Sequence, residues 1–143
     1  MSTFSQSLAT ATPAQAGGLP SAIELAGRVM LSLMFLLSGV GKITGYAATA
    51  GYMAAMGVPG FLLPVVIATE VLGALAIILG WRTRVVAFLL AGFTLLTALL
   101  FHNNFADQTQ MIMFLKNVSI AGAFLMLMIN GAGRFSLDAR RAR

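Results

Sequence analysis

Between residues 61 and 81 the chain carries one charged side chain, Glu70, in a run otherwise made of apolar and small residues. The run is long enough to cross a bilayer as a single helix, which takes roughly 20 residues. An ionised carboxylate near the middle of such a span costs about 2.5 kcal/mol or more. A chain that keeps Glu70 there must bring a partner to it. The candidates are few: Arg28, Lys42, His102 and Lys116.

Composition supports the membrane reading. Hydrophobic residues make up 59% of the chain and charged residues only 9%, against about 25% charged in a soluble domain. The length suits one domain of about four spans. The net charge of +5 does not indicate nucleic acid. Basic residues are thinly spread except at span ends and in Arg140, Arg141 and Arg143, and no basic patch is interleaved with aromatics. The absence of cysteine excludes disulfide exchange, Cys-ligated clusters and covalently attached haem within this chain. The single histidine excludes bis-His haem ligation from one copy, and no Met spacing pairs with His102 as a copper site. No metal is therefore expected.

The predicted fold is all-α: a four-transmembrane-helix bundle with spans over residues 21–44, 61–81, 83–101 and 111–130. Residues 1–20, rich in Ala, Thr, Ser and Gln and free of Lys and Arg, are expected to form a mobile tail. Residues 21–133 form the membrane domain, and residues 134–143 a basic cytoplasmic tail. The four-residue joint Trp81-Arg82-Thr83-Arg84 makes spans two and three a tight antiparallel hairpin. Residues 45–56 are helix-compatible but too short to span, and Gly57-Val58-Pro59-Gly60 stops them. With Tyr46, Tyr52, Met53 and Met56 they suit a short interfacial helix between spans one and two, either a lid or a simple connector. Arg82, Arg84 and the C-terminal arginines fall on one side and Lys42 on the other, so both termini are expected in the cytoplasm. The location is then a bacterial inner membrane, with the loop over residues 102–110 facing the periplasm.

At about 1.5 Å per residue, Glu70 lies roughly 14 Å into its span, near the midplane. Lys116 and Arg28 each lie about 7 Å from it in height. Lys116 is the favoured partner, because Lys42, His102, Asn103, Asn104 and Asn117 share the same outer half; Arg28 could instead snorkel to lipid phosphates. Helical spacing puts Ala87, Ala91, Thr94, Ala98 and His102 on one face of span three. It puts Glu70, Gly73, Ala74 and Ile77 together on span two, and Lys116, Ser119 and Ala123 on span four. These faces are expected to turn inward around a polar pocket of Glu70, Lys116, His102, Lys42, Asn117 and Arg28.

Five segments in order carry a resemblance. They are Ser38-Gly39-Val40-Gly41-Lys42, Gly57-Val58-Pro59, Ala68-Thr69-Glu70-Val71-Leu72-Gly73, Leu100-Phe101-His102 and Phe114-Leu115-Lys116-Asn117. Over about residues 25–130 the chain resembles the DoxX family of small four-span bacterial inner-membrane proteins. Some family members resemble, or are named for, the small subunit of a thiosulfate:quinone oxidoreductase, and another is described as a membrane partner of redox-stress enzymes. The resemblance implies a membrane subunit of a quinone-linked oxidoreductase system, with a redox partner protein to supply electrons. Two other readings stay open from the residues: a small-solute or proton-coupled permease, which would require a homo-oligomer, and a non-catalytic assembly or stress factor in which the acid forms a structural ion pair.

Overall fold

In the computed structural model, residues 18–142 are described; the expected mobile tail lies, except for its last three residues, outside them. The described residues form helices joined by short turns, with no strand among them. Four helices are long and apolar enough to cross a membrane. They are α1 (Gly18–Thr44), α3 (Leu63–Leu79, entered through a 3-10 turn at Gly60–Leu62), α4 (Thr83–Phe101) and α5 (Gln108–Asn130). Two short helices lie outside the spans, α2 (Tyr46–Ala55) and α6 (Leu137–Arg141).

Local chemistry sets the boundaries. From the first described residue, Gly18, the chain is already helical, three residues before the expected start. Helix α5 begins at Gln108 because Asp107 caps it, accepting the N–H groups of Thr109 at 2.7 Å and Gln110 at 3.1 Å. Helix α3 ends in a Schellman turn. Gly80 adopts φ +67°, its N–H reaches the Ile77 carbonyl at 3.1 Å, and the Trp81 N–H reaches Ala76 at 2.9 Å. A side chain at Gly80 would also strike the Ser136 Cβ.

Helix α1 packs along α3, α4 packs along α5, and the α3–α4 hairpin joins the two pairs. One apolar layer binds all four spans: Phe35 of α1, Ala74 and Ile77 of α3, Ala87, Leu90 and Ala91 of α4, and Ala121 and Phe124 of α5. Phe35 and Phe124 meet edge to face, ring centres 5.4 Å apart, and fill the centre. The small-residue face of α4 turns inward as its spacing predicts, with Ala87, Ala91, Thr94 and Ala98 all buried. That stripe lets α5 approach closely. On α3, Glu70, Ala74 and Ile77 are likewise buried.

Helix α5 departs from expectation. Lys116, Ser119 and Ala123 are exposed, and the buried face is Ala121 with Phe124. The physical reason is volume. A Phe ring set against Phe35 fills the bundle centre and gains far more contact than a lysine and a serine could, so it sets the rotation of the helix.

Beyond α5, residues 137–141 of the basic C-terminal segment form α6. Ser136 caps α6 by accepting the Ala139 N–H at 3.1 Å. The Asp138 carboxylate accepts the N–H groups of Arg82 and Thr83, each at 2.8 Å, and so caps α4 from a distant part of the sequence. Burial alone would raise the Asp138 pKa, but those two N–H groups and nearby Arg141 outweigh it and hold the carboxyl below its ordinary value. Such a group stabilises the fold above the unfolded-state pKa, about 4, and loses that contribution as pH falls through the lower folded-state pKa. Asp138→Asn should therefore be less thermally stable than the parent near neutral pH, with the gap closing below about pH 4. Melts in detergent across that range check this, and a gap independent of pH would refute it.

Candidate functional site

The two ends of the bundle carry different polar assemblies. At the end covered by α2, the α1 segment 38–42 faces α3 at Glu70. Gly39 makes the approach possible: a Cβ there would sit 2.6 Å from Val71 Cγ2 and 3.2 Å from Glu70 Cβ. Lys42 Nζ donates to both Glu70 oxygens, at 3.0 Å to Oε1 and 2.9 Å to Oε2. It also donates to Ser38 Oγ at 2.6 Å, and the Ser38 hydroxyl donates in turn to Glu70 Oε1 at 3.3 Å. All three ammonium donors are therefore engaged. The Glu70 side chain is 8% exposed and that of Lys42 24%, so the assembly meets its surroundings through the lysine.

The direction of the side chains explains this pairing. Helical side chains lean toward the N-terminus of their own helix. Helix α1 runs toward the α2 end, so Lys42 leans inward from that end. Helix α3 runs away from it, so Glu70 leans back toward it, and the two groups converge. The same rule turns Arg28 of α1 toward the hairpin end, away from Glu70, while Lys116 lies on the exposed face of α5. The expected Lys116 partnership is accordingly replaced by Lys42, whose backbone sits near the edge of its span but whose stem reaches down. Ser38, one helical turn before Lys42, is the member of the triad that the sequence reading left outside its candidate set; the i, i+4 spacing to Lys42 is the signal that marks it.

The remaining candidates lie apart from this triad. His102 ends α4, half-buried, with Nδ1 2.8 Å from Gln110 Oε1; it ties the loop to α5. Next to it, Phe101 stacks on Tyr52 of α2 at 5.7 Å. With Met53 buried, this stack seats α2 across the bundle end. Asn117 donates to the Met113 carbonyl of its own helix at 2.9 Å. Lys116 is exposed on α5.

Arg28 builds the second assembly, at the hairpin end. It is 2% exposed. Its Nη1 donates to the carbonyls of Ile77 and Ile78, each at 3.1 Å, and its Nη2 donates to the Phe135 carbonyl. It adds donors and positive charge at the last turn of α3, where the Ile77 carbonyl already accepts the Gly80 N–H. Among the described residues, no three His, Asp or Glu side chains gather as a metal site.

Chemically, the Glu70–Lys42–Ser38 triad can hold a proton, hand it along a hydroxyl, or turn one Lys42 N–H to an outside oxygen acceptor by giving up its bond to Ser38. The family model for DoxX matches residues 23–103, which include all three residues and α2. The chain is 54% identical over 114 residues to the Inner membrane protein YqjF of Escherichia coli (strain K12), covering 80% of this chain and 88% of the relative. It is 42% identical over 132 residues to the Inner membrane protein YphA of the same organism, covering 87% and 94%. It is 32% identical over 64 residues to the Putative oxidoreductase CatD of Bacillus subtilis (strain 168), covering 45% and 48%. No solved structure matches significantly. Four apolar spans, inner-membrane relatives matched over most of their length and a family model that spans the buried acid together establish that this chain is an integral inner-membrane protein of the DoxX family.

Proposed function

We propose that the protein is the membrane subunit of an oxidoreductase system, and that the Glu70–Lys42–Ser38 triad is the proton-exchanging element of a quinone site. The observation that carries this reading is a charged pair sunk below the surface of a span yet reachable through its lysine. An acid and a base held together at membrane depth suit proton exchange with a quinone-type carbonyl. Lys42 would exchange its bond to Ser38 Oγ for one to the carbonyl oxygen, and Glu70 would take up or release the proton. Electrons would come from a redox partner protein, because the chain has no cysteine and one histidine. The similarity to a relative named as a putative oxidoreductase points the same way.

The test is purification in mild detergent, followed by mass spectrometry of extracted quinones and co-purifying proteins. The parent should retain a quinone or a dehydrogenase partner, and folded Glu70→Gln should lose most of the bound quinone. If neither co-purifies, and solute flux into liposomes instead depends on Glu70, the reading fails in favour of a permease.

The same reading places both termini in the cytoplasm and the triad in the periplasmic half. It is supported by the gathering of Arg82, Arg84, Arg134, Arg140 and Arg141 at the hairpin end. A C-terminal reporter active only in the cytoplasm should give full signal; a periplasmic signal would reverse the orientation.

A further inference from the structure

At the hairpin end a cleft of about 480 Å³ opens between the α3–α4 turn and the segment that follows α5. Arg82 and Arg84 line it from one side, and Gly131, Gly133 and Ala139 from the other. Both arginines are exposed, and neither guanidinium makes a hydrogen bond or ion pair with any described residue. The N–H donors of each are therefore open, although the Arg82 guanidinium lies over the Trp81 ring. Arg82 adopts φ +45°, a left-handed backbone that disfavours any residue with a Cβ. The turn keeps an arginine there where glycine would fit without strain.

The charge in the cleft is unbalanced. Asp138 also lines it, but both carboxylate oxygens are turned to the backbone N–H groups of Arg82 and Thr83. The cleft thus presents two guanidinium groups without an acid partner, that of Arg82 lying over the Trp81 ring at 5.8 Å, against one engaged carboxylate. Its depth is equally telling. Thr83 is the first residue of one span and Asn130, another lining residue, is the last of the next. Trp81, 40% exposed, stands at the same level, where aromatic residues mark the headgroup region. Val85, on the cleft wall one residue into the span from Arg84, is 56% exposed, so an acyl chain leaving the cleft would meet an apolar surface.

We propose that this cleft binds the headgroup phosphate of an anionic phospholipid between the guanidinium groups of Arg82 and Arg84, with the acyl chains running past Val85. The two forks match phosphate oxygens, and the uncompensated positive charge selects anionic over zwitterionic lipid. The site is independent of the triad at the far end of the bundle.

The experiment uses the full chain in mild detergent, titrated with phosphatidylglycerol, phosphatidylcholine or inorganic phosphate. Bound lipid is counted by native mass spectrometry and thermal unfolding is followed in parallel. Phosphatidylglycerol should bind at about one molecule per chain and raise the melting temperature, while phosphatidylcholine and inorganic phosphate should do neither. Arg82→Gln/Arg84→Gln should weaken phosphatidylglycerol binding by roughly thirty-fold, about five-fold for each arginine, with the helical circular dichroism of the parent. Arg82→Lys/Arg84→Lys, which keeps charge and loses the forks, should fall between the two, and gives a second reading if the Gln variant folds poorly. Arg140→Gln, outside this cleft, should change binding by less than about two-fold. Equal losses from Arg140→Gln would mean diffuse attraction and overturn the site. Equal binding of inorganic phosphate or phosphatidylcholine would overturn the assignment to an anionic lipid.

Discussion

Lys42→Met should destabilise the folded protein by about 2 kcal/mol. The figure lies below the 3–5 kcal/mol seen on stripping one partner from a fully buried pair, because Lys42 is partly exposed. Glu70 would be left with Ser38 as its remaining donor, in a setting where an uncompensated carboxylate is costly. Glu70→Met alone should cost less, because the long lysine stem can then swing its ammonium out to the α2-end surface. Replacing both residues by Met removes both charges and keeps apolar volume, so the double variant should recover most of the loss, with a coupling of about 1–3 kcal/mol. Reversible unfolding in mixed micelles measures all four corners of this cycle. Additive losses would mean that the pair does not act as a unit. The double variant also separates the two roles open to the pair: if it is folded but empty of quinone, the triad is a site, whereas full quinone retention would reduce it to a packing device.

Arg28→Met should be the more damaging single change, at roughly 4 kcal/mol. Three carbonyls, those of Ile77, Ile78 and Phe135, lose their guanidinium donor at once, and hydrogen bonds to charged groups are worth about 1.5–3 kcal/mol each. The loss should be felt locally. Residues 131–142 should become sensitive to protease, and amides around Gly80 to Thr83 should exchange faster, because Arg28 ties the α3 end to the returning segment that caps α4. Arg28→Lys should restore only part of the stability, since a single ammonium cannot span carbonyls contributed by two separate segments. Parent-like stability of Arg28→Lys would show that charge at the end of α3, rather than the fork, is what matters.

Much of this architecture could be read from the residues, because each element rests on a local rule. Four apolar runs of bilayer length become four spans. Gly57-Val58-Pro59 ends α2, and the short joint at residues 81–84 makes a hairpin of α3 and α4. Alternation of small residues at three- and four-residue steps predicts the inward face of α4. The site was half legible. A midplane acid demands a cation, and Lys42 stood among the candidates, but comparing backbone heights favoured Lys116. The lean of side chains together with chain direction is compatible with Lys42 and turns Arg28 away, but the exclusion of Lys116 comes from the rotation of α5. The role of Arg28 had no such signal, because its partners are main-chain carbonyls that any residue could have supplied.

By itself the sequence determined that this chain crosses the membrane four times, that Glu70 must be compensated, and to within about three residues where the spans lie. Those outcomes follow from transfer energies and caps, which act over one or two turns. Only the tertiary structure decided how the helices rotate and which of them touch. Phe124 against Phe35 turns α5 so that Lys116 faces away from the bundle, and the close approach at Gly39 lays α1 along α3 so that Lys42 meets Glu70. Packing of that kind depends on how volumes from distant segments fill shared space, and no local pattern encodes it.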